Sequence, residues 1–284
     1  MLESAADKLK EALKAWTMRM VPEDLPQKVA AARAKQNEFG LDPFGYSMDF
    51  AFSGIAPFVW LYKHYFRVDT QGLENIPRGR VLLVSNHSGQ LPFDAAMIGM
   101  AVLVEADPPR PVRSMVEKWM PTLPFVSIFM ARMGQVVGTP ENCKRLLEAG
   151  EAILVFPEGQ RGINKHWRDR YQLADFGLGF MRMALETDTP IVPVSVVGGE
   201  EQAPKLFDLK PLARLLGFPS FPITPTLLPI PLPSRYHLRF GEPLRFEGSP
   251  HDEDAELEHK VREVKATIQA MLNKGLKERK RVFF

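Results

Sequence analysis

A histidine and an aspartate lie close together in the stretch VLLVSNHSGQLPFD, residues 81–94. A histidine beside a carboxylate is a general-base pair: the acid sets the ring tautomer and steadies the imidazolium that forms. Six residues separate His87 from Asp94. On one continuous helix that spacing would leave them roughly 10 Å apart. They meet only if the chain folds back at Ser88-Gly89, a pair of turn-formers that permits it. Without that reversal the same residues are an exposed loop histidine and a helix-starting aspartate.

A second chemically loaded stretch is EAILVFPEGQRG, residues 151–162. An apolar run, Ile153 to Phe156, ends in a turn bearing Pro157, Glu158, Gly159 and Arg161. Arginine offers a planar fork suited to phosphate or carboxylate. A third run, Thr189 to Ser195, reads as another strand, with Pro at its edge. Strand ends that open into loops are where open α/β sheets place their sites. The other histidines carry less. His64 edges an aromatic run, His166 lacks a strand-end carboxylate, and His251 and His259 have no metal-ligand spacing. No metal site, P-loop, paired CxxC or nucleophile elbow is present, and Gly177 with Gly179 falls short of a dinucleotide fingerprint.

The elements that must position these residues follow from periodicity. Val81 to Val84 reads as a buried strand, and Pro92 suits the first turn of a helix running to about Val104. Further strands are expected at 66–69, 112–116, 135–137, 153–156 and 236–240, and helices at 123–132, 141–149 and 176–185. Gly150 ends the second of those helices. Strands alternating with helices predict an α/β fold, a mixed, mostly parallel sheet flanked by helices. A last helix is expected over 252–280, with Leu257, Val261, Val264, Ile268 and Met271 on its docking face.

The amino-terminal part reads differently. Leu2, Leu9, Leu13, Trp16 and Met20 form one apolar stripe flanked by Lys8, Lys10 and Arg19. An interfacial helix and a helix docked on its own domain share that pattern. Residues 48–65 are aromatic-rich and read as a core helix. The expected division is therefore 1–65, an N-terminal helical, membrane-associating segment with amphipathic helices, and 66–284, the α/β domain. Within the latter, 205–233 is apolar and rich in proline. That density denies helix and central strand, leaving a flap touching the membrane or plain packing on the sheet.

Composition excludes several classes. The chain has 284 residues, 45% hydrophobic and 25% charged, which is ordinary for a globular protein. A net charge of +2 gives no footprint for nucleic acid. The single Cys143 forms no internal disulfide and suits a reducing compartment. No secretory signal is expected, and no run reaches the roughly 18 apolar residues of a spanning helix. The expected location is the cytoplasmic face of a membrane, peripheral or monotopic.

Asn86-His87 with a following Asp94, then Phe156-Pro157-Glu158-Gly159 with Arg161, then Ile191-Val192-Pro193-Val194-Ser195, in that order, resembles the glycerolipid and lysophospholipid acyltransferase family. The likeness covers roughly residues 65–245. It implies acyl transfer from a thioester, acyl-CoA or an acyl carrier protein, to a glycerolipid hydroxyl, with no bound cofactor. His87 would be the base, oriented by Asp94. Glu158, Gly159, Arg161 and Lys118 would face the acceptor, and backbone N–H groups near Gly159 or His87 would hold the oxyanion. Two features depart from the commoner pattern: that pattern has four residues between His and Asp, and the region Gly134 to Pro140 lacks the usual Arg. Lysophosphatidic acid is the leading acceptor, with diacylglycerol or another lipid alcohol as the alternative. A lipid-binding protein without turnover, and a thioesterase using the same base on water, remain open.

Overall fold

The computed structural model describes residues 23–25, 27, 37–88, 92–119, 122, 126–163, 165, 167–204, 207–209, 211, 222–226 and 230–284. The expected helix over 2–20, residues 28–36, His166 and much of 205–233 lie outside the described residues.

In chain order the elements are α1 (Met48–Ser53), α2 (Ala56–Trp60), a π-helical turn (Leu61–Tyr65), β1 (Asp69–Gln71), β2 (Val81–Ser85), α3 (Phe93–Val104), β3 (Val112–Val116), α4 (Val126–Arg132), β4 (Val136–Val137) and α5 (Pro140–Glu148). Then come β5 (Ala152–Val155), α6 (Gln160–Ile163), α7 (Gly179–Glu186), β6 (Ile191–Val197), α8 (Gly199–Gln202), β7 (Phe207–Asp208), β8 (Pro222–Ile223), β9 (His237–Phe240) and α9 (Asp254–Glu278). β7 and β8 form a small hairpin-like pair of their own.

The main sheet has seven strands in the order β1-β9-β6-β2-β5-β3-β4. Every pairing is parallel except β6 with β9. The mixed, mostly parallel architecture is thus as expected. β2 is buried at all five residues, as a parallel strand covered on both faces must be. Alternate side chains feed two cores. Val81 and Leu83 join Val59, Met97, Ile98 and Tyr236 on one face. Leu82 and Val84 join Leu147, Met181, Val264 and Ile268 on the other. Along α9 the buried stripe is Leu257, Val261, Val264, Ile268 and Leu272; Met271, expected on this face, is only half-buried, because a 3.6-residue period carries the stripe on to Leu272.

The aromatic run 48–65 is three pieces, not one core helix. Gly54 caps α1, and Pro57 stands in the first turn of α2, where a missing N–H costs nothing but a continuous helix would be broken. Phe66 then closes the π-helical turn by donating its N–H to Leu61, which moves β1 from the expected 66–69 to Asp69–Gln71. The described part of 1–65 shares one core with the sheet: Leu25, Tyr46, Met48, Ile55 and Tyr62 are buried in it. A buried ion pair reinforces that docking. Arg113 of β3 donates to Asp42 at 2.6 Å and to the Gly134 carbonyl at 2.7 Å, and lies over the Phe44 and Tyr46 rings.

Pro190 stands at the edge of β6, as expected, and Pro193 lies inside the strand. It is tolerated because its nitrogen faces the side where β9 has ended at Phe240. Gly241 there donates to the Pro193 carbonyl at 2.8 Å, and the Ile191–Leu244 bridge resumes the pairing beyond it.

Candidate active site

The carboxyl ends of β2 and β5, neighbours at the centre of the sheet, deliver the site. β2 runs out at Ser85, and Asn86 extends it by proxy. Its side-chain amide donates to the Val196 carbonyl at 3.1 Å and accepts the Val196 N–H at 2.8 Å. The amide thus stands in for a peptide group against β6, and the direction in which His87 leaves the sheet is set by those two bonds.

The chain does fold back. His87 Nδ1 is 2.7 Å from Asp94 Oδ2. Ser88 donates its backbone N–H to the same oxygen at 2.9 Å, and Ala95 donates to Oδ1 at 2.8 Å. Asp94 is fully buried in the first turn of α3, while the His87 side chain keeps 18% exposure. Three donors leave the carboxylate little rotational freedom. With Nδ1–H committed to it, Nε2 is the ring's basic atom. The imidazole also lies flat on Phe156, with centroids 4.2 Å apart and planes 21° apart.

Burial pulls the His87 imidazole downward. The Asp94 charge and hydrogen bond, with Glu158 adding and Lys165 opposing, more than offset this, so the group titrates above its ordinary 6.5. It takes up a proton readily and is fully basic only on the alkaline side of that raised value.

Glu158 is placed differently from the acceptor-facing position expected of it. Its carboxylate is buried, only 2% of the residue being exposed. Oε1 accepts the His87 backbone N–H at 3.0 Å; Oε2 accepts the Ala174 N–H at 2.7 Å and pairs with Lys165 Nζ at 2.8 Å. What this side chain shapes directly is the His87 loop. Gly159 has φ +54°, a left-handed turn position that favours glycine. Arg161 is exposed on α6, and Lys118 is exposed on the turn two residues past β3, at the same edge of the sheet. Among the described residues, three of the expected oxyanion donors are otherwise engaged: His87 N–H goes to Glu158, Ser88 N–H to Asp94 and Gly159 N–H to the Phe156 carbonyl at 3.0 Å.

Three contributors escape a reading of the sequence. Asn86 is visible there as part of a motif, but its bridge to β6 is not. Lys165 looks like one cation in a basic loop. Gly162 gives a faint signal as the second glycine of the turn. A Cβ there would come within 2.9 Å of His87 Cβ and 3.0 Å of Glu158 Cβ, so α6 reaches the histidine only because residue 162 has no side chain.

Residues 67–197 match the protein family described as Acyltransferase. A Mycobacterium tuberculosis protein described as uncharacterized is 38% identical, over 93% of this chain and 78% of its own. A probable 1-acyl-sn-glycerol-3-phosphate acyltransferase of Mycoplasma pneumoniae is 27% identical, over 55% of this chain and 59% of its own. Among solved structures, the 1-acyl-sn-glycerophosphate acyltransferase PlsC of Thermotoga maritima shares the fold, with a TM-score of 0.52 at 17% identity, covering 96% of this chain and 98% of that one.

Proposed function

Since this chain belongs to the acyltransferase family, we propose that it moves a fatty acyl group from acyl-CoA or an acyl carrier protein to a hydroxyl of a glycerolipid, with lysophosphatidic acid as acceptor and phosphatidic acid as product. The observation that carries this reading is the 2.7 Å contact between His87 and a buried Asp94 at the end of a central strand. The naming of the Mycoplasma relative supports the acceptor.

The reaction needs no outside oxidant or reductant. The acceptor oxygen attacks the thioester carbonyl carbon as His87 Nε2 takes the hydroxyl proton. Asp94 steadies the imidazolium. The tetrahedral intermediate collapses, the carbon–sulfur bond breaks, and the departing sulfur receives the proton from Nε2. An ester and a free thiol result, and the histidine is again neutral. Arg161 and Lys118, both exposed at this edge of the sheet, supply positive charge toward an anionic acceptor.

Contact with a membrane surface belongs to the same proposal. No helix among the described residues is long and apolar enough to cross a membrane. Phe50 of α1 and Ile128 and Phe129 of α4 are exposed together, with the two rings 6.1 Å apart. An apolar cavity of about 300 Å³ lies under α4 beside the end of β3, lined in part by Phe44, Val116, Met130 and Val136. Aromatic and aliphatic side chains so placed suit lipid and acyl chain.

A second acceptor class is favoured by one feature: Gly134 to Pro140 carries no arginine, which suits a neutral alcohol such as diacylglycerol. The test is transfer of labelled oleate from oleoyl-CoA to lysophosphatidic acid, glycerol phosphate, diacylglycerol or water, by wild type and by His87→Ala. Transfer to lysophosphatidic acid that vanishes in the variant supports the proposal. Transfer only to water makes the protein a thioesterase, and undiminished transfer by the variant removes His87 from the mechanism.

A further inference from the structure

We propose that Lys165 is a positioning residue for the histidine, acting through Glu158 to hold the His87 backbone in place. The inference rests on the acyl-transfer reading and adds a residue to it.

The geometry is a relay of three groups. Lys165 is on the loop after α6, yet its side chain is only 7% exposed. Its ammonium pairs with Glu158 Oε2 at 2.8 Å and lies 3.7 Å from Glu200 Oε1 on α8. Glu158 has no solvent of its own and grips two backbone N–H groups, His87 on one oxygen and Ala174 on the other. An ionised carboxylate buried this deeply persists only with a cation against it. If Lys165 is removed, Glu158 gains strong reason to take up a proton. A protonated carboxyl has a hydroxyl in place of one acceptor oxygen, so it cannot hold both His87 N–H and Ala174 N–H as before. The His87 main chain is then released at one of its few fixed points.

The surroundings make the cation specific to this task. Glu200 is pushed up to about 7 by burial, with Lys165 opposing that rise, and Glu158 is the nearer partner of the lysine, at 2.8 Å against 3.7 Å. The neighbouring Glu201 has its own cation, Arg279 just past the end of α9, at 2.6 Å, and a hydroxyl donor in Tyr171. His87 itself faces Asp94 from α3 and Glu158 with Lys165 from the β5 side. Glu117 Oε1, past the end of β3, stands 3.5 Å from where a Cβ on Gly159 would lie. Of the described cations around this turn, Lys165 is the one paired with Glu158, whereas Arg161 points its exposed side chain to solvent.

The experiment compares wild type, Lys165→Met, Lys165→Arg and His87→Ala as purified full chains, using oleoyl-CoA with lysophosphatidic acid across pH 5.5–9. Circular dichroism and thermal melts establish that each is folded. For Lys165→Met we expect kcat to fall roughly ten- to a hundredfold with KM changed less than about threefold, since a small displacement of a base costs rate more than binding. We also expect the acid limb of kcat/KM to steepen toward a slope of two and move to higher pH, because Glu158 and His87 then both titrate. Lys165→Arg restores the slope of one. A folded Lys165→Met with unchanged kcat and pH profile overturns the proposal while His87→Ala stays inactive. A merely structural lysine would lower the melting temperature and active fraction without changing the limb's slope, and that outcome overturns it too. If Lys165→Met does not fold, Lys165→Gln, which keeps a hydrogen-bond donor but no charge, is measured in the same way and must show the steeper limb. An active His87→Ala refutes the parent reading, and the relay with it.

Discussion

Replacing Asp94 by Asn removes one charge and almost no volume, so its effect can be worked out donor by donor. Asp94 accepts from three donors: His87 Nδ1 and Ser88 N–H on Oδ2, and Ala95 N–H on Oδ1. Asparagine has one acceptor oxygen and one donor NH2. If the oxygen takes the Oδ2 position, the His87 tautomer survives, but the NH2 opposes the Ala95 N–H. If the oxygen takes the Oδ1 position, the NH2 opposes Ser88 and can bond only to an unprotonated Nδ1. That puts the proton on Nε2 and abolishes the base. Losing a hydrogen bond to a charged group costs about 1.5–3 kcal/mol, or roughly 10- to 150-fold in rate; a wrong tautomer extends the loss to about 10⁴-fold. The expected fall in kcat for Asp94→Asn is therefore roughly 10²- to 10⁴-fold. The pH profile supplies the sharper check. In wild type the base form of His87 is lost as pH falls through a value above 6.5. Asp94 is the main influence raising that value, while burial lowers it. Without the charge the acid limb must move to lower pH, even as the plateau drops. The assay is kcat/KM for oleoyl transfer across pH 5–9. An acid limb that stays in place or moves upward in Asp94→Asn would refute the claim that this carboxylate tunes this imidazole.

The packing around the histidine dictates two further outcomes. Asn86→Ala leaves the buried Val196 N–H and C=O without their partners, so stability to urea should fall by about 2–4 kcal/mol; a loss under about 1 kcal/mol would show that the bridge to β6 does not hold the strand end. Gly162→Ala puts a methyl 2.9 Å from His87 Cβ and should lower kcat roughly tenfold or more, whereas Gly179→Ala, with open space around the added carbon, serves as a control that leaves kcat unchanged; equal rates for the two variants would mean that α6 does not set the position of the histidine.

Much of this arrangement is legible in the chain because it is local. Val81–Ser85 is a continuous apolar run ending in turn-formers, and Pro92 announces α3, so strand, loop and helix follow from residue type alone. The alternation of strands and helices gives the sheet its class. What stays hidden depends on contacts between distant residues. Asn86 meets Val196, and Arg113 meets Asp42, across separations that no local pattern encodes. Lys165 lies among Arg161, Arg168 and Arg170, and composition makes them equals; only folding buries the side chain of one and leaves the others exposed. Glu158 is visible as a functional candidate, but whether its carboxylate points toward a substrate or back to the main chain is decided by where Ala174 and His87 come to lie. Why Pro193 is accepted inside β6 is hidden for the same reason, since tolerance of a proline depends on where a neighbouring strand stops.

The grip on His87 has an evolutionary corollary. Among the described residues, its holders are the Asn86 side chain bonded to β6 just before it, the Phe156 ring just past β5, a carboxylate reaching its main chain from the turn that follows, and an aspartate carried by a helix. Of the described residues in the tether joining His87 to that helix, Ser88 is the one that donates to the aspartate. Insertions there can lengthen the connection without disturbing the alignment of imidazole and acid. A chain with six intervening residues rather than four can therefore keep the same chemistry, and tether length is free to vary with whatever passes over it.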